Sequence, residues 1–301
     1  MDFSQPFTRD FWLICTIFAA VFGANIGSFL NVCIYRIPID ESVVKPRSHC
    51  MRCGKLIPWY HNLPILSYFI LRGRCANCKA PFSFRYAAIE LLTAMLFVVV
   101  CCQFPPTGVQ PPFGLVSLTH AAVVPVAWLF LSGLIIATFV DFDHFIIPDS
   151  VSIGGMIVGV ILSGLVPEIH HQTIAWRGLT ASLTGLAAVF LPLQGIRLLG
   201  TAIYRRKGRL GPDEYAMGFG DIKLIGAIGA FLGWQAALFS IMAAALFGTV
   251  VAMPLVVSGH RKLLDKLPFG PYLSLGATVW LFWGPTILSA YMAMLTGPFV
   301  S

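Results

Sequence analysis

Two aspartates stand where an acid is costly. Asp141 follows the apolar run 121–140 and opens the string Asp141-Phe142-Asp143-His144-Phe145-Ile146-Ile147-Pro148-Asp149. Asp221 lies in Met217-Gly218-Phe219-Gly220-Asp221-Ile222-Lys223, at the head of another apolar segment. Charge at membrane depth generally lines a polar cavity or a chemical site, with its partner elsewhere in the chain. Two such carboxylates at one depth make a candidate acid/base pair, in which one ionised member activates water and one protonated member donates to a polarised oxygen. Asp221 begins a helix whose positive end favours an anion, which makes it the readier base and Asp141 the acid. Gly218 and Gly220 remove side-chain bulk beside it, so an extended backbone can approach. A plainer reading treats Asp221 as a helix cap, and the same reading suits Asp149, which sits between Pro148 and Ser150 just before an apolar run. Asp143 and His144 read as solvated interfacial groups or contacts for a basic ligand.

A second constellation is Cys50-Met51-Arg52-Cys53 followed, after 21 intervening residues, by Cys75-Ala76-Asn77-Cys78. Two Cys-x-x-Cys knuckles at this separation resemble a zinc ribbon, with four thiolates closing a tetrahedral structural site. A closed site has no open position for substrate, so the metal holds a loop together and does no chemistry. The surrounding Trp59, Tyr60, Leu63, Pro64, Ile65, Leu66, Tyr68 and Phe69 are expected to form the module's own core, the alternative being a patch that rests on the membrane surface. Cys15, Cys33, Cys101 and Cys102 lie in or at apolar stretches and read as small packing residues.

The elements that must position these groups follow from hydropathy. The 301 residues are 57% hydrophobic and 11% charged, with mean hydropathy +0.81, which points to a bilayer as solvent. A spanning helix needs about 20 apolar residues. Eight stretches qualify, near 11–34, 86–104, 121–141, 150–166, 178–200, 221–234, 236–257 and 272–295. The sixth is short and is parted from the seventh only by Gly233-Trp234-Gln235, so the two form a helical hairpin or one broken element. The expected fold is an all-α polytopic membrane protein of about eight transmembrane helices. It divides into a first helix (1–37), a cytoplasmic four-cysteine zinc module (38–85) and a catalytic bundle (86–301). The first apolar stretch lacks a basic region and cleavage site before it, so it reads as a retained helix.

Net charge is +7, yet the basic residues fall between apolar runs and not along one soluble face, which argues against nucleic acid as a partner. They cluster in 36–85, in Arg205, Arg206, Lys207 and Arg209, and in Arg261, Lys262 and Lys266. The positive-inside bias then puts these loops in the cytoplasm, both termini outside, and Asp141 and Asp221 at the cytoplasmic face.

The motifs taken together resemble the bacterial type IV prepilin peptidases. The matching residues are 27–38 (Gly27-Ser28-Phe29-Leu30-Asn31 onward), the paired cysteine knuckles with Asn62-Leu63-Pro64-Ile65-Leu66-Ser67-Tyr68 between them, Arg85-Tyr86 with Glu90, 141–149, 217–224, and Pro268-Phe269-Gly270-Pro271. The Gly-x-Gly-Asp element is shared with intramembrane aspartyl proteases of the presenilin kind. The resemblance implies a multi-pass inner-membrane enzyme that cleaves the basic leader from prepilins or type II secretion pseudopilins. Many members also N-methylate the new terminal residue with S-adenosylmethionine. The family's catalytic aspartates fall on Asp141 and Asp221, with Gly218, Gly220, Lys223 and Glu90 as supporting residues. Tyr215 departs from the charged residue many relatives carry there, which bears on substrate selection. The basic leader would find Asp143, Asp149, Asp213 and Glu214 on an otherwise basic face. Two other classes compete: a proton-coupled transporter with a zinc-stabilised loop, which an internal inverted repeat would favour and none is seen, and a membrane thiol oxidoreductase, whose cysteines would lie outside. No glycine-rich nucleotide fingerprint gives the methyl donor an address.

Overall fold

The computed structural model describes residues 6–104, 122–209, 211, 215, 218–258 and 267–296. Asp213, Glu214, Met217 and the basic loop with Arg261, Lys262 and Lys266 lie outside the described residues. Helices α1 (Pro6–Arg36), α2 (Leu66–Ile70), α3 (Arg85–Gln103), α4 (Val123–His144), α5 (Asp149–Leu165), α6 (Ala175–Arg206), α7 (Phe219–Leu232), α8 (Trp234–Val257) and α9 (Gly270–Thr296) make up the architecture. Among the described residues there is no strand, only two isolated bridges, His49 with Leu56 and Arg74 with Pro81. The chain divides into two compact units, with the boundary in the sequence between Ile136 and Ala137, inside α4.

All eight apolar stretches are helical. Among the described residues, six segments are long and apolar enough to cross a bilayer: Trp12–Ile39, Arg85–Gln103, Val123–His144, Ala175–Arg206, Trp234–Pro254 and Gly270–Leu295. The other two, α5 with 17 residues and α7 with 14, are shorter. At 1.5 Å per residue α7 is only about 21 Å long, against a hydrocarbon core of about 30 Å. The sixth and seventh stretches are two helices, parted at Gly233, whose φ of 87° is open to glycine and strained for other residues.

In the first unit α1 lies against α3 at a small-residue seam. A Cβ on Gly23 would come 2.9 Å from Ala94 Cα, and one on Gly27 2.7 Å from Glu90 Cα. Such spacing lets two helix backbones approach where lipid supplies no hydrophobic driving force. Phe97 stacks on Trp128 at 4.7 Å, and the Trp128 indole N–H donates to the Phe97 carbonyl at 3.1 Å, so the buried donor is satisfied.

In the second unit α7 is the central helix. Every residue from Ile222 to Phe231 is buried, as expected of a helix that is apolar all round. It packs against α5, α6, α8 and α9. The α6 contact is the closest, because Gly185 and Gly229 bring the two backbones together. Lys223 and Asp221 are carried into this enclosed setting by a helix that the bundle covers.

Candidate active site and cysteine cluster

Asp141 falls in the last turn of α4 and is 5% exposed. Its Oδ2 accepts the backbone N–H of Gly270, the first residue of α9, at 2.8 Å. Asp221 is the third residue of α7 and is close enough to feel the Asp141 charge. Three helix ends within the second unit therefore meet around two carboxylates. Ile147 is wedged among them: a Cβ on Gly220 would sit 3.2 Å from Ile147 Cβ, and one on Gly270 3.3 Å from Ile147 Cδ1.

The Gly218-Phe219-Gly220 turn gives Asp221 its place. Gly218 is the N-cap, with φ −60° and ψ 129°, so Asp221 is not the cap that the plainer reading allowed. A Cβ on Gly218 would stand 3.1 Å from Asp221 Oδ2, so this glycine leaves that oxygen room. Phe219 lies between two cations, with Arg197 at 4.6 Å from its ring and Lys223 at 4.7 Å. Arg197 also lies over Tyr215 at 4.0 Å. These cation–π contacts brace the turn from α6 and from its own helix.

Asp149 is not a cap either. Pro148 occupies that position in extended conformation with no capping side chain, and Asp149 is the first helical residue of α5. Its carboxylate pairs instead with Lys223, so the last residue of the first motif and the last of the second hold each other.

In the cysteine segment both knuckles have the same local fold. Cys50 N–H donates to Lys55 O at 2.9 Å and Gly54 N–H to Cys50 O at 2.8 Å; Cys75 N–H donates to Ala80 O at 2.8 Å and Lys79 N–H to Cys75 O at 3.0 Å. The four sulfurs of Cys50, Cys53, Cys75 and Cys78 lie within 4.8 Å of one another, and Cys50 Sγ is 3.7 Å from Cys78 Sγ. Zinc–sulfur bonds of about 2.3 Å in a tetrahedron put sulfurs about 3.8 Å apart, so the donor set fits such an ion. Backbone N–H groups of Cys53 and Arg52 pull the Cys50 thiol down to about 6. Cys78 also has a favourable N–H, from Ala80, yet desolvation and the neighbouring thiols push it up to about 11. Four sulfurs at contact distance resist carrying four negative charges together, and a dication relieves that repulsion.

The aromatic patch of this segment is not its core. Trp59 is 74% exposed and Phe69 63%, because the 48-residue insertion is too small to enclose that many rings. Tyr68 does the packing, edge-on to Phe82 at 5.5 Å and Phe84 at 5.4 Å. Glu90, from α3, accepts the Ile65 N–H at 2.6 Å. Ile65 has φ 64° and ψ −54°, and Leu66 N–H donates to Pro64 O at 2.6 Å, a γ-turn that a β-branched residue adopts only when held. Glu90 thus anchors the cysteine segment to α3, at the point where Gly27 of α1 comes close to that helix.

Gly270 is the site residue that chemistry-bearing residue types did not single out. Its signal was the Gly270-Pro271 pair, since proline in the first turn marks a helix start.

A family model described as the bacterial peptidase A24 N-terminal domain matches residues 21–104, and the type IV leader peptidase family model matches residues 128–253. Three relatives carry the name prepilin leader peptidase/N-methyltransferase. That of Myxococcus xanthus (strain DK1622) is 36% identical over 81% of this chain, which spans 64% of that protein. That of Aeromonas hydrophila is 32% identical over 93% of this chain and 94% of its own. That of Pseudomonas putida is 28% identical over 92% and 93% respectively. No solved structure matches. With 32% identity sustained along nearly the full length of both chains, this multi-pass membrane protein belongs to the type IV leader peptidase family.

Proposed function

We propose that the protein is an intramembrane aspartyl endopeptidase that removes the basic leader from type IV prepilins or type II secretion pseudopilins and N-methylates the new terminal residue. The observation that carries this reading is the meeting of Asp141 and Asp221 at the ends of α4 and α7, in a chain similar throughout to proteins named for both activities. In hydrolysis, the ionised member of the pair takes a proton from water as the water oxygen bonds to the scissile carbonyl carbon. The protonated member gives its proton to the carbonyl oxygen. When the C–N bond breaks, the leaving amine takes a proton from the pair, which is thereby reset.

Lys223 and Asp149 are proposed to set the height of α7 against α5, and Gly218 and Gly220 to admit the substrate backbone. Cys50, Cys53, Cys75 and Cys78 are proposed to hold one zinc, which supplies a structural crosslink when bound. S-adenosylmethionine would supply an electrophilic methyl group when bound. The positive-inside bias supports an inner-membrane orientation with both termini periplasmic and the aspartates at the cytoplasmic face. That is also the side on which a basic leader would wait while its apolar helix remains in the bilayer. Nothing favours the transporter alternative.

The test is to incubate purified protein with a prepilin and labelled S-adenosylmethionine, scoring cleavage and labelling separately. Asp141→Asn and Asp221→Asn should each lower cleavage by about 10²- to 10⁴-fold or more, the range for lost acid/base catalysis, while the protein remains inserted. Near-normal turnover by either variant would remove the aspartate assignment.

A further inference from the structure

Both carboxylates lie beside the positive end of a helix, Asp221 within the first turn of α7 and Asp141 against the first residue of α9. The dipole is therefore common to both and does not tell them apart. What differs among the described residues is a direct bond: the Gly270 N–H donates to Asp141 Oδ2 at 2.8 Å. We infer that Gly270 is a positioning residue, whose N–H fixes Asp141 as the base of the pair and leaves Oδ1 as the oxygen that takes the proton from water.

An amide N–H can only donate, so Oδ2 is held as an acceptor and proton uptake is left to Oδ1. The bond is stronger to a carboxylate than to a carboxylic acid, which selects Asp141 as the member that enters the cycle ionised. Asp221 then donates to the scissile carbonyl oxygen. This reverses the roles that the α7 dipole alone suggests. A Cβ at residue 270 would stand 2.9 Å from Asp141 Oδ2 and 3.3 Å from its Cγ, with Ile147 Cδ1 at 3.3 Å on another side, so a larger residue there must displace the carboxylate. Pro271, next in the helix, has no N–H to offer, so Gly270 carries the donor that α9 presents at its first two positions.

The inference rests on the proposed peptidase reading, and the experiment separates the two. Replacing Gly270 by glycolic acid during translation turns its amide into an ester, removing the N–H without adding an atom near Asp141. A matched ester at Leu273, whose N–H donates to Phe269 O at 3.1 Å in the same turn, removes a helix bond that does not touch Asp141. With wild-type protein cleaving prepilin in nanodiscs, the Gly270 ester should lose about 10- to 100-fold in kcat, as for a hydrogen bond to a charged group. Its KM should stay within about twofold, and the Leu273 ester should keep near-normal kcat. Gly270→Ala, which keeps the N–H and adds the Cβ, should also lose kcat. Equal losses in both esters, or full kcat in the Gly270 ester, would overturn the inference while leaving the peptidase reading intact. A wild-type protein that cleaves no prepilin would instead overturn the reading on which it rests.

Discussion

Lys223, buried near the start of α7, is paired with the carboxylate of Asp149 at the first residue of α5, their side chains being 9% and 66% exposed respectively. The pair is asymmetric. Removing Asp149 strands a largely desolvated ammonium, whereas removing Lys223 returns a carboxylate to water. Asp149→Asn is therefore expected to cost about 1 to 2 kcal/mol, between the values for exposed and buried pairs, and Lys223→Met less. The double variant should recover part of the loss. Thermal unfolding of the four proteins in one detergent forms a double-mutant cycle, and strict additivity would show that the pair is not coupled.

Much of this arrangement was legible from residue types. Runs of about 20 apolar residues must be helices in lipid, because only there are all backbone groups satisfied, so each of the eight stretches became one. Asp141 and Asp221 stood out because charge is rare in such runs, and Cys50 to Cys78 because thiols at that spacing have few other uses. Illegible were partners contributed by backbone or by distant sequence. Gly270 lies 129 positions from Asp141 and acts through an N–H every residue but proline has. Asp149 looked like a cap because Pro148 and Ser150 flank it, and only the packing of α5 on α7 shows its carboxylate committed to Lys223. Trp59 and Phe69 looked like core because rings usually are, yet the segment has too little chain to cover them.

The cysteine cluster makes a prediction about metal. Metal analysis should return about one zinc per chain, lost on Cys50→Ser or Cys75→Ser, since four-coordinate structural sites rarely survive with three ligands. Limited proteolysis should then cut faster within 38–85, while α1 and α3, joined at the Gly23 and Gly27 seam, stay protected. A metal-free preparation with an equally resistant segment would contradict a structural zinc.

His170 offers a pH test remote from the chemistry. Its Nε2 lies 2.9 Å from Ser163 Oγ and 3.3 Å from Ala230 O, the carbonyl to which Ser182 Oγ–H also donates at 2.7 Å. Burial lowers the imidazole below its ordinary 6.5; the Ala230 carbonyl favours the proton, and the neighbouring His171 opposes it. Well above pH 6.5 both folded and unfolded chains hold a neutral ring, and it contributes no pH dependence. As pH falls through 6.5 the unfolded chain takes up a proton that the folded one resists, so stability drops on the acid side. His170→Gln should flatten that limb. Wild-type and variant melting curves that fall in parallel below pH 6.5 would exclude this histidine as the cause.

The last prediction concerns the contact that places Asp221. A Cβ on Gly185 would lie 2.3 Å from the Gly229 carbonyl oxygen, and one on Gly229 2.5 Å from that of Gly185, so the obstacle on each side is backbone, which has no rotamer to yield. Gly185→Ala or Gly229→Ala must push α6 and α7 apart, at a cost of about 3 kcal/mol or more. Gly195, also in α6, has nothing within 4 Å of its Cβ position, and alanine there should be neutral or stabilise by about 0.5 to 1 kcal/mol through helix propensity. The α6 pair thus separates contact from propensity on one helix. Because α7 carries Asp221, the Gly185 and Gly229 variants should lose prepilin cleavage as well as melting temperature, whereas Gly195→Ala should keep both. If Gly185→Ala melted and cleaved like Gly195→Ala, the close approach of α6 to α7 would not be what holds Asp221 against Asp141.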